Sequence, residues 1–290
     1  MQKQKVNAIT RRDFIRGSLT AAIGASLAGT KFVQAGEKPS VSNVIVTRNK
    51  AVMDNELNIN TTVLAEMLDQ TMLAITGQKS VNESWLSLFK KDDSVGIVTT
   101  PHLNPTHKEL VDIVKISLNQ IGISDKNIKV SNKPENCTAL ICMPALKAHW
   151  LTGIGTVIKN YIMFSGRPRD YHNQDSAKLG EIWHLPEVKG KTKLILVDAL
   201  HPLCDKGPQV DPRYKWAYKG LIAGIDPVAV DTICLKIIST KRDLIKGESW
   251  PLSPPPLCVE AADKVYGLGT SDFKNIKIQT IGWKLSLIHI

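Results

Sequence analysis

Three separated segments of this chain place ionisable side chains beside apolar runs. Lys147 and His149 follow an apolar run that ends at Cys142, and Asp198 closes a second run. Asp231 lies farther along, on an otherwise apolar stretch. Because strand ends and helix starts meet at one edge of an open α/β sheet, we expect Lys147, His149, Asp198 and Asp231 to form a catalytic group. The residues predicted to bind a ligand beside them are Lys159, Asn160, Arg167, Gly153 and Gly155.

The same segments contain ligands suitable for a divalent metal ion. His149, His172 and Asp198 would supply two neutral imidazoles and one carboxylate, a typical set for such an ion. Without a metal, His149 and Asp198 would serve as proton-transfer groups while a neighbouring lysine stabilises an anion. The spacing does not decide between these alternatives. Further histidines that could act as ligands are His184 and His201.

A short glycine-containing turn, Gly153-Ile154-Gly155, precedes the segment that carries Lys159. Such a turn before a helix exposes backbone N–H groups at the positive end of the helix dipole, where an anion is favoured. No third glycine completes a dinucleotide fingerprint, so we do not expect a nicotinamide site. The alternative is a packed strand–helix turn that needs its glycines only for close approach.

Two carboxylates near residue 230 invite different interpretations. Asp226 precedes Pro227, which is the pattern of a helix N-cap followed by proline at the first helical position. Asp231 would lie one turn further into that helix, on an otherwise apolar surface. A buried carboxylate requires a partner, so Asp231 is the stronger functional candidate of the two.

The hydrophobic pattern predicts strands alternating with helices. Asn60 is expected to open a helix that Gly77 closes, and Thr106 with Glu109 is expected to form a capping box. Continuous apolar strands separated by helices are typical of an α/β fold, with a mostly parallel sheet covered by helices on both faces. The predicted strands cover residues 41–47, 95–98, 128–130, 139–142, 194–197 and 276–278.

A polar connection covers residues 165–191 and is too long for a simple loop. Long insertions of this kind are often lids over a site, so we expect a lid-like insertion here. Eight of the sixteen aromatic residues lie between residues 150 and 218, where they would form a pocket wall or anchor long loops. The arginines that would reach an anionic ligand there are Arg167, Arg169 and Arg213.

The first 35 residues resemble a twin-arginine export signal. Arg11 and Arg12 precede a weakly apolar stretch at 17–29, and small residues at Val33 and Ala35 suit cleavage before Gly36. That stretch is too short to span a hydrocarbon core of about 30 Å. We therefore expect a signal peptide at 1–35, a single α/β domain at 36–290, and export by the twin-arginine translocase to a periplasmic or other extracytoplasmic compartment.

Composition excludes several classes of protein. The chain has 290 residues and a formal net charge of +10, but residues 1–35 carry six of its basic groups and the remaining charges are scattered. This distribution predicts no nucleic-acid partner. Five cysteines without a Cys-x-x-Cys pair predict no iron–sulfur cluster. Proteins exported by the twin-arginine route are already folded and often carry a cofactor, which leaves a divalent metal as a candidate.

The order and spacing of several motifs resemble those of domain-of-unknown-function family 362 (DUF362), over about residues 90–285. The resemblance implies little about activity, although ferredoxin-type clusters in some relatives suggest a redox context. This chain lacks those clusters, and it has Ala145 and Ala148 where lysine and threonine are more usual. The motifs are Pro144-x-Leu146-Lys147-x-His149, Gly155, Lys159-Asn160, Gly166-Arg167, His172, Val197-Asp198-Ala199, Gly207-Pro208 and Gly224 to Asp231.

Two functions from different classes follow from these observations. The first is an exported enzyme with a metal-binding or anion-binding active site at the carboxyl ends of the strands. The second is an extracytoplasmic protein that binds a small anionic molecule and catalyses nothing. A structure in which Lys147, His149, Asp198 and Asp231 line one cavity would support the first.

Overall fold

The computed structural model describes residues 41–283. The predicted signal peptide at 1–35 lies outside these residues. The nine strands of the sheet are β1 (Ser42–Arg48), β2 (Val95–Thr99), β3 (Ile128–Ser131), β4 (Ala139–Met143), β5 (Ala145–His149), β6 (Gly153–Ile154), β7 (Thr192–Leu203), β8 (Gly220–Gly224) and β9 (Ile276–Gly282). The α-helices are α1 (Thr61–Thr76), α2 (Val81–Leu88), α3 (Lys108–Gln120), α4 (Val157–Asn160), α5 (Pro227–Lys246) and α6 (Leu257–Lys264).

The sheet is mixed but mostly parallel, in the order β3-β2-β4-β7-β8-β1-β9. β3, β2, β4 and β7 run parallel to one another, β8 is antiparallel to both β7 and β1, and β9 is parallel to β1. The predicted α/β fold is confirmed. β5, β6 and β8 were not predicted as strands, because Lys147 and His149 interrupt the apolar pattern of β5, β6 has only two residues, and Gly220–Gly224 contains two glycines.

Two short strands, β4 and β5, pair one after the other with the long strand β7. β4 pairs with the first part of β7, where Cys142 is in register with Ile195, and β5 pairs with the later part, where Ala145 is opposite Asp198. The register shifts between Ala145 and Lys147, and β6 then pairs antiparallel with the end of β5. This arrangement places Lys147 beyond the end of β4, opposite Leu203 at the end of β7.

Helices cover both faces of the sheet, as predicted. Successive side chains of a strand point to opposite faces, and β7 shows the alternation. Leu194, Leu196 and Leu200 belong to the core under α1, α2 and α3. Ile195 and Val197 belong to the core under α4, α5 and α6. Asp198 is in phase with the first set and therefore faces α3.

Helix ends follow local sequence with one exception. The side chain of Asn60 accepts a hydrogen bond from Val63 N, and Gly77 ends α1 in a left-handed conformation, as predicted. The predicted capping box of Thr106 and Glu109 is wrong, because α3 begins after His107 without a side-chain cap. Thr106 instead donates from its Oγ1 to the Met143 carbonyl, so it ties the loop after β2 to the end of β4.

The polar connection at 165–191 forms a short 3-10 helix, Pro168–Tyr171, and a longer one, Asn173–His184, which packs against α4 and α6. Leu179 and Ile182 are buried, and the indole N–H of Trp183 donates to the Ile158 carbonyl. The aromatic residues of this segment therefore anchor it to the domain.

Among residues 41–283, none of the helices has both the length and the apolar character needed to cross a bilayer.

Candidate functional site

A cavity of about 180 Å³ lies where β2, β5 and α4 meet. Its wall contains five of the residues predicted from the sequence, namely Lys147, His149, Gly155, Lys159 and Asn160. The loop after β2 closes another side. Polar residues that also line the cavity, and that the sequence analysis did not select, are Thr99, Thr100, His102 and Asn132.

Lys147 is a buried lysine, only 6% exposed, on β5. Its Nζ donates to Thr100 Oγ1 at 3.2 Å, which is the single hydrogen bond of that ammonium within the described residues. Burial, and then repulsion by Lys159, lower the pKa of Lys147 to about 7, although Asp198 opposes the shift. Lys147 therefore has a large neutral fraction near neutral pH.

Lys159 approaches the same cavity from α4. It is partly buried and has no hydrogen-bond or ion-pair partner among residues 41–283. Burial lowers the pKa of Lys159 to about 8. No aspartate or glutamate lines the cavity within the described part of the chain. Two lysines thus share a small hollow without a carboxylate in its wall.

His149 presents one ring nitrogen for binding. Its Nδ1 accepts a hydrogen bond from Leu151 N at 3.1 Å. A backbone N–H can only donate, so the neutral ring carries its proton on Nε2. Burial, followed by the charge of Lys159, lowers the pKa of His149 to about 2. The imidazole is therefore neutral at physiological pH, and Nε2–H is a hydrogen-bond donor.

Asn160 and Gly155 hold this arrangement together. The Nδ2 of Asn160 donates to the Val98 carbonyl at 2.7 Å, which links α4 to β2. Gly155 lies against His149, where a Cβ atom would be 3.2 Å from both Cβ and Cδ2 of the histidine. The lack of a side chain at Gly155 is what allows the imidazole to occupy this position.

Asp231 lies outside the cavity, beneath α4. It is fully buried, and its two carboxylate oxygens accept hydrogen bonds of 2.8 Å from Val157 N and Ile158 N. Burial raises the pKa of Asp231 to about 7, against the two backbone hydrogen bonds that favour its charged form. The carboxylate occupies the helix start at which an external anion was predicted. Asp231 thus positions the helix that carries Lys159.

Asp198 is also buried outside the cavity wall. Its Oδ2 accepts from both the backbone N and Nδ1 of His107 at 2.7 Å, and its Oδ1 accepts from Leu200 N. Burial opposes protonation of His107, but the charge and hydrogen bond of Asp198 outweigh it and raise the pKa of His107. The sequence analysis missed His107, although its position between β2 and a helix start was an available signal.

The remaining predicted residues, His172, Arg167 and Gly153, do not line the cavity. His172 lies beside His149, with ring centroids 5.7 Å apart. Arg167 is exposed and lies 3.6 Å from Asp170, so it does not line the cavity. Gly153 has a φ of +75°, and a Cβ there would lie 2.7 Å from Pro256 N, so this glycine serves a close backbone approach.

Two of the three predicted metal ligands, His149 and His172, are neighbours, and the third, Asp198, is not grouped with them. Within residues 41–283, no group of three or more histidine, cysteine, aspartate or glutamate side chains has an arrangement that would hold a metal ion. His149 and His172 are neighbours, whereas both oxygens of Asp198 already accept internal hydrogen bonds. The five cysteines, all within the described part, are buried and unpaired.

Comparison with known proteins supports a family but no activity. A search of curated proteins found no match, and a search of solved structures found none. One family model, described as domain of unknown function (DUF362), matches residues 88–236, which is more than half of the chain and includes every residue that lines the cavity. The chain therefore belongs to the DUF362 family.

Proposed function

We propose that this protein is an exported member of its family whose active site binds a small anionic molecule in the cavity between β5 and α4. The observation that carries the proposal is the pair Lys147 and Lys159, which share that cavity while none of the described residues in its wall is a carboxylate. Buried charges in proteins are normally paired. An anionic ligand would supply the missing counter-charge.

The depressed pKa values of both lysines agree with this assignment. Burial is the largest cause in each case, and repulsion between the two ammonium groups adds to it for Lys147. An anion in the cavity would favour the charged forms and raise both pKa values again. Binding is therefore expected to take up protons above about pH 7 at Lys147 and above about pH 8 at Lys159, where each lysine is neutral in the ligand-free protein.

One neutral donor would complete the recognition of the ligand. The Nε2–H of His149 has no acceptor among the described residues, whereas Nδ2 of Asn160 already donates to the Val98 carbonyl and to Cys142 Sγ. Charged and neutral donors around one hollow form the kind of site that stabilises a carboxylate, a phosphate or a developing oxyanion.

The size of the cavity limits the ligand. At about 180 Å³ it is slightly larger than the cavity of about 150 Å³ that holds a benzene ring. A small carboxylic acid or inorganic phosphate fits this volume, whereas a dinucleotide would lie mostly outside it. The proposed ligand class is thus a small organic or inorganic anion.

Thermal unfolding in the presence of named anions tests the binding site. Inorganic phosphate and lactate are each compared with chloride at equal ionic strength, and at least one is expected to raise the melting temperature in a saturable manner. Lys147→Met and Lys159→Met should abolish the effect, whereas Lys215→Met, at a half-buried lysine outside the cavity wall, should retain it. If neither anion stabilises the wild type, the proposal is rejected.

Export is proposed from the twin-arginine pattern in residues 1–35 alone. The full chain is expressed in bacteria with a functional twin-arginine translocase, and its periplasmic fraction is compared with that of Arg11→Lys/Arg12→Lys. The paired substitution is expected to leave the protein in the cytoplasm. Equal periplasmic amounts of both forms would contradict export by this route.

The contact between His149 and His172 favours a second candidate, a divalent metal centre. Ligation through Nε2 of His149 would move the ring proton to Nδ1 and remove the acceptor of Leu151 N. Metal analysis of protein purified after export tests this candidate. Stoichiometric metal that is lost in both His149→Ala and His172→Ala would support it, and metal-free protein would reject it.

A further inference from the structure

We propose that Lys147 is a nucleophile that forms an imine with the carbonyl carbon of a small 2-oxo acid. This inference rests on the proposed anion site and goes beyond it, because it assigns a covalent reaction and a substrate class. The carboxylate of the oxo acid would bind Lys159, and its ketone would lie against the amine of Lys147.

The surroundings of the Lys147 amine differ from those of a structural lysine. Buried structural lysines normally pair with a carboxylate, but among residues 41–283 the one hydrogen-bond partner of Lys147 Nζ is the Thr100 hydroxyl, at 3.2 Å, and Asp198 acts on it only through its charge, without an ion-pair contact. The amine therefore keeps its lone pair available once it loses a proton. At 6% exposure the side chain is held in place by packing, so the amine is positioned toward the cavity that it lines.

Lys159 would have two roles in the reaction. Its charge disfavours the protonated form of Lys147, which is a recognised means of activating an amine that forms imines. Lys159 has no partner of its own among the described residues, so it remains available to bind the carboxylate of the substrate. One cation thus both activates the nucleophile and selects an acidic carbonyl compound.

The reaction is balanced without an oxidant or reductant. The lone pair of Nζ attacks the ketone carbon and the carbonyl π electrons move to oxygen, which gives a carbinolamine after proton transfer. Loss of the hydroxyl group, with a proton from solvent, releases one water and leaves a protonated imine on Lys147. The Thr100 hydroxyl and the Nε2–H of His149 are the neighbouring groups that would hydrogen-bond to the carbinolamine oxygen.

Reductive trapping tests this assignment on the purified wild-type protein. The protein is incubated with pyruvate and sodium cyanoborohydride, and the modified lysine is located by peptide mass mapping. We expect one reduced pyruvate unit on Lys147. Labelling spread over surface lysines, labelling of Lys159 in place of Lys147, or no labelling would each overturn the inference.

A matched pair of variants separates capture from binding. Lys147→Arg keeps a permanent charge but has no nucleophilic amine, so it should lose the adduct, whereas Lys215→Arg should keep it. Mapping of the wild type decides the question even if Lys147→Arg does not fold. Lactate, which has the carboxylate without the ketone, is the control for the proposed function. Stabilisation by lactate without a pyruvate adduct overturns only the imine, and stabilisation by neither phosphate nor lactate overturns the anion site itself.

Discussion

The backbone N–H of Val157 donates a 2.8 Å hydrogen bond to the carboxylate of Asp231, so a side chain of α5 fixes the first turn of α4. A second bond, from Ile158 N to the other oxygen, makes the contact bidentate. Lys159 and Asn160 lie in the same turn and line the cavity. A buried carboxylate outside the cavity thereby determines where two residues of its wall lie.

Asp231→Asn is expected to weaken anion binding about tenfold and to lower the free energy of unfolding by about 1–3 kcal/mol, because the amide provides only one acceptor for two N–H groups. Both are measured at a temperature where the variant is folded. Asp226→Asn is the matched control, since Asp226 is the buried N-cap of α5, the helix that contains Asp231, and lies outside the cavity. An equal loss of binding in both variants would show that Asp231 acts only through stability.

Anion affinity should fall as pH rises through about 7 and 8, the values to which burial lowers the pKa of Lys147 and Lys159. Above those values each lysine must take up a proton in order to bind, which costs about tenfold in affinity per pH unit for each lysine. Titration calorimetry with inorganic phosphate from pH 6 to pH 9 measures this slope. The second ionisation of phosphate is allowed for by repeating the series with lactate. A constant affinity for lactate would contradict the role of the lysines.

Lys147→Met should stabilise the ligand-free protein by about 2 kcal/mol at pH 7 while it abolishes anion binding. The pKa of Lys147 in the folded protein is lowered to about 7 from the ordinary value of 10.5. Between these two pH values the unfolded chain binds more protons at Lys147 than the folded protein does, so the free energy of unfolding of the wild type rises with pH. The advantage of methionine should therefore shrink from pH 7 to pH 9 in denaturant unfolding. Exposed Lys126→Met is the control and should show neither effect. A less stable Lys147→Met protein would mean that the ammonium has an internal partner.

Asp198→Asn should lower the pKa of His107, because the carboxylate is what keeps the imidazolium stable against burial. The raised pKa implies that this stabilisation is complete below the ordinary value of 6.5 and is lost as pH rises through the folded-state value. Histidine titration by NMR measures the shift. An unchanged His107 titration would show that the pair is not coupled in solution.

Gly153→Ala should destabilise the protein more than Gly166→Ala, although both glycines have positive φ, +75° and +70°. At Gly166 the new methyl group meets nothing within 4 Å, so only the backbone strain of about 1 kcal/mol applies. At Gly153 it would lie 2.7 Å from Pro256 N, which is backbone and cannot rotate away. We expect a loss of about 3 kcal/mol or more there. Similar melting temperatures for the two variants would rule out this close approach.

Much of the fold can be predicted from local sequence. Asn60 and Gly77 bound a helix because side-chain capping and a left-handed glycine are local effects, and Asp226 with Pro227 begins another for the same reason. The apolar runs at β2, β4 and β7 predict buried strands, and the alternation of strands with helices predicts the parallel sheet. These features depend on a few neighbouring residues, so the sequence alone determines them.

Which of the candidate residues line the cavity could be determined only from the tertiary structure. Lys147, Lys159 and Asn160 were predicted from the sequence as site residues, and they line one cavity. Asp198 and Asp231 were equally good candidates from the sequence, but their carboxylates accept hydrogen bonds elsewhere in the fold. A strand residue changes face with each step, and a buried carboxylate takes whichever N–H groups lie nearest, so one step in register decides its role. Sequence determined which groups can react, and packing across the sheet decided which of them share a cavity.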